Sequence, residues 1–227
     1  GISYHNGKII FIPKAIPGDI LDVEIINSYK KYDIGKIKKI IKSSDKLISP
    51  KCPYYYTCGG CNISNLSYQE QLKFKQDKII NIFKKYLDKD IAPKVLGSKK
   101  AFEYRNKITY HVSNGLIGLV DIDNNFLKID KCLLVSPKVN ELVLLLQKED
   151  LSKVSKIVIR ECNNGLILSI TGNIKIENLK KLCIEIYLNN EKKYSKEEGY
   201  LYIDNLKYRV SDKSFFQINT SNIATLY

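Results

Sequence analysis

The chain has 227 residues, a formal net charge of +13 and six cysteines, with neither Met nor Trp. Its charge points to a polyanionic partner, nucleic acid before membrane, because no long apolar and no basic amphipathic segment accompanies it. A lysine-rich chain of this size is not a small disulfide-stapled secreted scaffold, and its length holds one large domain or about two to three small ones. The basic residues are nearly all Lys, with only Arg105, Arg160 and Arg209 as exceptions. Position 1 is Gly rather than Met, so Gly1 is not an intact translation start.

Residues 1 to about 48 read as strands: Gly7–Ile12, the turn Pro17-Gly18-Asp19, Ile20–Ile26 and Asp33–Ile41. Leu21, Val23 and Ile25 alternate with Asp22 and Glu24, the period of a half-buried strand. A small β-barrel of the OB type is the economical expectation, and no aromatic platform for bases stands out in it.

Three cysteines follow within ten residues, as Cys52-Pro-Tyr-Tyr-Tyr-Thr-Cys58-Gly-Gly-Cys61, and a fourth lies far downstream at Cys132. Three thiolates on one tight loop can converge on a metal or cluster if Gly59 and Gly60 let the backbone turn back. Zinc ribbons offer two Cys-x-x-Cys knuckles, whereas this chain has one, Cys58 to Cys61, which favours an iron–sulfur cluster over zinc. Four protein ligands, Cys52, Cys58, Cys61 and Cys132, imply a closed cluster rather than one with an open iron. Cys162 ends an alternating stretch, and Cys183 shares helical spacing with Ile176, Leu179 and Ile186; both read as core thiols.

A helix should start at Ser67, with Glu70 reaching back to complete a capping box and Tyr68, Leu72, Ile79, Phe83 and Tyr86 forming a core-facing stripe. Strands return from Tyr104 to Val112, then a turn at Ser113-Asn114-Gly115, Leu116–Val120 and Asn125–Asp130. Next comes a helix capped by Ser136 with Pro137 at its first position, burying Val139, Leu142, Val143 and Leu146. Strands near 154–161 and 165–171, a helix near 175–189 and a hairpin about Asp204-Asn205 complete a mixed α+β class.

Several segments together resemble the TRAM-domain RNA (uracil-5-)-methyltransferases of the 23S ribosomal RNA type. They are Ala15–Leu21, the cysteine loop followed by Tyr68-Gln-Glu-Gln-Leu72, Tyr104-Arg105-Asn106-Lys107, the late Cys132, and Ser214-Phe-Phe-Gln-Ile-Asn219. The resemblance implies an α+β chain made of a TRAM-like OB barrel at 1–48, lacking its first strand, and a cysteine loop and helix at 49–90. A central α+β domain at 91–211 and the start of a methyltransferase domain at 212–227 would follow, with the Rossmann-like catalytic domain mostly absent. It implies a 4Fe-4S cluster on the four cysteines, contact of Gln217 with S-adenosylmethionine, and RNA as partner, 23S rRNA first and tRNA second. A cytoplasmic location and no protein partner go with it.

In that family a cysteine attacks carbon-6 of a flipped uracil and a carboxylate removes the carbon-5 proton. Neither Cys162 nor Cys183 stands in such a setting, so no catalytic residue is assigned and the chain reads as an N-terminal portion truncated at both ends. Arg105 and Lys107 are the expected RNA contacts. The alternatives are a stand-alone RNA-binding module with a structural metal and, behind it, an iron–sulfur electron carrier.

Overall fold

The computed structural model describes Gly1–Tyr227 as two compact units, residues 1–56 with 60–97 and residues 57–59 with 98–227.

The first unit carries strands β1 (Ile2–His5), β2 (Lys8–Phe11), β3 (Ile20–Ser28) and β4 (Tyr32–Lys42) in one sheet of order β1-β2-β4-β3. Strand β1 is an element the sequence reading did not include; Asn6 and Gly7, at φ 50° and 75°, turn it back on β2 as an Asn-Gly hairpin. Strands β2 and β4 pair in parallel, and the other neighbours are antiparallel. Three register shifts bend β3 against β4, and Gly35 is required there because a Cβ would lie 2.4 Å from Val23 Cγ1. Leu21 and Val23 are half-buried as the alternation predicts, but Ile25 is exposed.

Helix α1 spans Tyr68–Leu87 and starts where the sequence places it, with Ser67 Oγ accepting the Glu70 N–H at 3.2 Å. Two expectations fail on it. The Glu70 carboxylate pairs with Lys46 Nζ at 3.1 Å instead of closing a capping box, the ammonium being the stronger partner. The apolar stripe is not core: no residue of α1 is buried, and Ile79 and Tyr86 are exposed at 40% and 70%.

The second unit is built on a seven-stranded sheet of order β11-β10-β9-β8-β5-β6-β7. Its strands are β5 (Lys107–Ser113), β6 (Leu116–Val120), β7 (Phe126–Lys128), β8 (Val154–Glu161), β9 (Leu166–Gly172), β10 (Cys183–Leu188) and β11 (Glu191–Ser195). All neighbours are antiparallel except β9 and β10. Asn114 and Gly115, both at positive φ, form the expected turn between β5 and β6. Helix α2 (Pro137–Leu146) buries Val139, Leu142, Val143 and Leu146 as expected. Strands β12 (Tyr200–Ile203) and β13 (Leu206–Arg209) form the hairpin about Asp204-Asn205.

The helix expected near 175–189 is absent. A 3-10 turn at Glu177–Lys181 leads directly into β10, so Cys183 lies on a strand. The reason is burial on both faces: Cys183, Ile184, Glu185, Ile186 and Tyr187 are all buried, and a strand covered on both sides loses the alternation that would identify it. No helix of the chain is long and apolar enough to cross a membrane.

Candidate functional site

In the first unit a small polar core holds the cysteine loop. Tyr55, only 1% exposed, donates its hydroxyl hydrogen bond to Asn65 Oδ1 at 2.7 Å and to the Asn62 carbonyl at 2.9 Å. Asn65 Nδ2 donates to the Lys14 carbonyl at 2.9 Å. Lys14 in turn sends its ammonium to the Cys61 carbonyl and over the Tyr55 ring, 4.7 Å from the centroid. Burying a lysine requires such partners, a carbonyl and a ring face that both accept positive charge. Lys14, Tyr55 and Asn65 are thus the residues that shape this loop, and sequence reasoning passed over all three.

In the second unit Cys58 bridges Asp121 as in a short antiparallel ladder, and the Gly59 N–H donates to the Val120 carbonyl at 3.0 Å. Gly59 is needed here for close approach rather than for a left-handed turn: a Cβ would sit 2.7 Å from the Asp121 carbonyl oxygen. Cys132 is gripped by Asn140 of α2, whose Oδ1 accepts the Cys132 N–H at 3.0 Å while its Nδ2 donates to the Cys132 carbonyl at 3.1 Å. Nearby, burial and then the Cys132 sulfur push the Tyr110 phenol up, and its hydroxyl has no hydrogen-bond partner.

Cys52, Cys58, Cys61 and Cys132 are all half-buried, whereas Cys162 and Cys183 are buried. Burial pushes both of the latter thiols up to about 12, so neither supplies a thiolate at neutral pH and the core-thiol reading of them holds. Four half-buried cysteines are a donor set chemically suited to iron–sulfur or zinc. No group of three or more His, Cys, Asp or Glu side chains is assembled for a metal ion. Cys52 and Cys61 belong to the first unit and Cys58 and Cys132 to the second.

The segment 104–107 meets the segment 212–220 within the second unit. Asn106, 5% exposed, donates its backbone N–H to the Ile218 carbonyl at 2.9 Å and its side-chain amide to the Gln217 carbonyl at 2.9 Å and Thr220 Oγ1 at 2.8 Å. Arg105 bridges Asn219, and its Nε donates to the Lys107 carbonyl at 3.0 Å. Lys107 Nζ reaches the Asp212 carbonyl at 3.5 Å, and its register partner Arg160 sends Nη2 to the Ser214 carbonyl. Burial, followed by the adjacent Arg160 guanidinium, holds the Lys107 ammonium below its ordinary range. Arg160 is 1% exposed and keeps Nε and Nη1 without a partner.

The structure therefore brings Arg105 and Lys107 to the same strip as the half-buried Gln217, whose main-chain carbonyl is held by Asn106. The two phenylalanines before it separate: Phe216 packs against the buried cluster of Cys162, Ile167, Ile184, Tyr187, Leu201 and Val210, while Phe215 is 83% exposed.

No protein-family model matches the chain. An RNA methyltransferase of Aquifex aeolicus is 27% identical to it, over 96% of this chain and 57% of its own length. The 23S rRNA (uracil(1939)-C(5))-methyltransferase RlmD of Shewanella sediminis is 24% identical over 97% of this chain and 56% of its own length. RlmD of Psychromonas ingrahamii is 40% identical over a shorter match, 46% of this chain and 24% of its own length. The homologues are RNA methyltransferases. Among solved structures, the Pyrococcus abyssi tRNA (uracil-54, C5)-methyltransferase, in complex with S-adenosyl-L-homocysteine, superposes with a TM-score of 0.73 at 22% identity. That match covers 96% of this chain and 58% of the other, and it establishes a shared α+β fold. The chain thus spans somewhat over half the length of the curated relatives that it matches end to end.

Proposed function

We propose that the chain is the RNA-recognising portion of an S-adenosylmethionine-dependent methyltransferase that acts on carbon-5 of a uridine in 23S rRNA, with tRNA as the second candidate. The observation that carries this reading is that the correspondence with RNA methyltransferases runs along 96–97% of the chain rather than over one motif. The net charge of +13 supports it, since RNA phosphates are the natural counterpart of such a surface. Residues 1–48 would be the TRAM-like barrel, 49–90 the cysteine loop and helix, 91–211 the central domain, and 212–227 the start of the methyl-transfer domain. Cytoplasmic ribosomal RNA is then the setting.

Within this reading Gln217 contacts S-adenosylmethionine, the group that supplies the methyl. Asn106 fixes the main chain from which that carboxamide projects. Arg105 and Lys107 contact RNA phosphate, and the long 3.5 Å contact of Lys107 with a neutral carbonyl is one that a phosphate oxygen outcompetes. Cys52, Cys58, Cys61 and Cys132 hold a 4Fe-4S cluster with a structural role. The reading is supported by their spacing and by their exposure relative to the two buried thiols. Neither Cys162 nor Cys183 is assigned as the attacking cysteine, because burial keeps both thiols protonated.

Inactivation of the gene followed by mass-spectrometric mapping of 5-methyluridine tests the activity. Loss of one methyluridine from 23S rRNA is the expected result; loss from tRNA alone moves the substrate to tRNA, and an unchanged methyluridine content overturns the reading. Protein purified anaerobically should contain about four irons and four acid-labile sulfides per chain. Zinc without iron overturns the cluster.

A further inference from the structure

The first unit carries a set of aromatic side chains that its sequence spacing conceals. Phe11 ends β2, while Tyr29 and Tyr32 stand on either side of the turn joining β3 to β4. Parallel pairing of β2 with β4 sets Phe11 opposite Ile34, which brings the three rings to one place on the sheet. Tyr29 and Tyr32 stack with centroids 4.7 Å apart at 27°, and Phe11 meets Tyr32 edge-on at 5.4 Å.

None of the three is consumed by the core. Phe11 is 41% exposed, Tyr29 48% and Tyr32 36%. The turn is fixed rather than loose, because the Tyr29 N–H donates to the Tyr32 carbonyl at 2.9 Å. Its two intervening residues are Lys30 and Lys31, both exposed. The tip therefore reads Tyr-Lys-Lys-Tyr, with two exposed lysines at the turn between the residues whose rings stack. Exposing three rings together costs hydrophobic free energy that a merely structural sheet has no reason to spend. Aromatic faces beside ammonium groups are the two elements that single-stranded nucleic acid requires, one for its bases and one for its phosphates.

We propose that Phe11, Tyr29 and Tyr32 form a stacking platform for the bases of single-stranded RNA, with Lys30 and Lys31 neutralising the adjacent phosphates. The inference rests on the RNA reading above and gives it a substrate form: an unpaired segment rather than a duplex. A duplex keeps its base faces stacked internally and offers this tip only phosphates.

The test uses the 227-residue chain, a 12-nucleotide oligouridine and a 12-base-pair RNA duplex, with fluorescence anisotropy read at several KCl concentrations. The wild type should prefer the single strand. Tyr29→Ala should weaken single-strand binding by about 5- to 100-fold while leaving duplex binding and the salt slope unchanged, and Tyr29→Phe should restore it. The Lys30→Gln, Lys31→Gln double variant should instead lower the slope of log affinity against log salt by about 1.4. The side chains are exposed, so equal thermal unfolding of all variants serves as the folding control. Single-strand affinity that is unchanged in Tyr29→Ala overturns the platform while leaving RNA binding intact. Absence of binding to either RNA by the wild type at 50 mM salt, an order-of-magnitude choice at which basic surfaces retain their grip, overturns both readings. Binding of a protein partner that Tyr29→Ala abolishes, with RNA affinity unchanged, also overturns it.

Discussion

The two units invest their apolar residues differently. In the second, Ile117, Leu142, Leu146, Ile157, Ile159, Leu166 and Leu168 are fully buried around a seven-stranded sheet. In the first, burial is confined to a few side chains such as Ile10, Ile12, Ile16, Tyr55 and Leu66, and helix α1 buries none. One unit is a packed scaffold that can hold Asn106 and Arg160 in fixed positions; the other keeps rings and lysines at its surface. The contrast locates most of the buried apolar packing in the second unit.

The sharpest test of that contrast is a pair of truncations. Leu142→Ala, at a residue 0% exposed, should destabilise the second unit by about 2–5 kcal/mol because it leaves a cavity. Phe74→Ala on α1, where the ring is 40% exposed, should cost less than about 1 kcal/mol. Urea unfolding followed by circular dichroism checks both, and a comparable loss in the two variants would erase the distinction.

The next effect is electrostatic and also lies in the second unit. Glu185 is 2% exposed on β10, where Lys192 Nζ pairs with Oε1 and the Tyr187 hydroxyl donates to Oε2 at 3.1 Å. Lys192→Met leaves that carboxylate buried without its cation and should cost about 3 kcal/mol. Adding Glu185→Gln should recover much of the loss, whereas Lys193→Met, which breaks the exposed pair with Glu191, should change little. The first unit has a smaller counterpart. Tyr55→Phe deletes the donor to Asn65 Oδ1 and the Asn62 carbonyl and should cost about 1–2 kcal/mol in urea unfolding.

What was legible in the sequence follows the same division. Elements with a clear local signal announced themselves: β8 falls on the alternating stretch that Cys162 ends, and α2 falls where the Ser136 cap and Pro137 place it. Strand β10 was misread because burial on both faces removes the period. The α1 stripe was read correctly as helical and wrongly as core, since periodicity reports an apolar face and not whether anything covers it. Arg105 and Lys107 were chosen together from one strand and Gln217 separately, yet the association of the two segments depends on Asn106, whose hydrogen bonds span more than a hundred residues. The Phe11, Tyr29 and Tyr32 cluster escaped notice for a similar reason, as only the parallel pairing of β2 with β4 assembles it.

The smallest expected effect is a pH dependence that belongs to the second unit. Cys162 and Cys183 have thiols pushed up by burial from an ordinary 9.0 to about 12. Below pH 9 each thiol is neutral in both folded and unfolded chains, so the preference for the neutral form is fully expressed in the native state. Between about 9 and 12 the unfolded chain releases these protons and the native chain retains them, so stability must fall as pH rises. Tyr55 in the first unit, raised to about 12, acts in the same direction. Lys107 acts in the opposite one, because burial depresses its ammonium and deprotonation relieves that cost. Total alkaline loss therefore does not isolate the thiols, but a difference does. Cys183→Ala should flatten the decline of unfolding free energy between pH 9 and pH 12 relative to wild type, whatever its offset at neutral pH. Parallel slopes for Cys183→Ala and wild type would mean that the β10 interior is wet enough to ionise a thiol, and the claim that the second unit is the dry scaffold would fail with it.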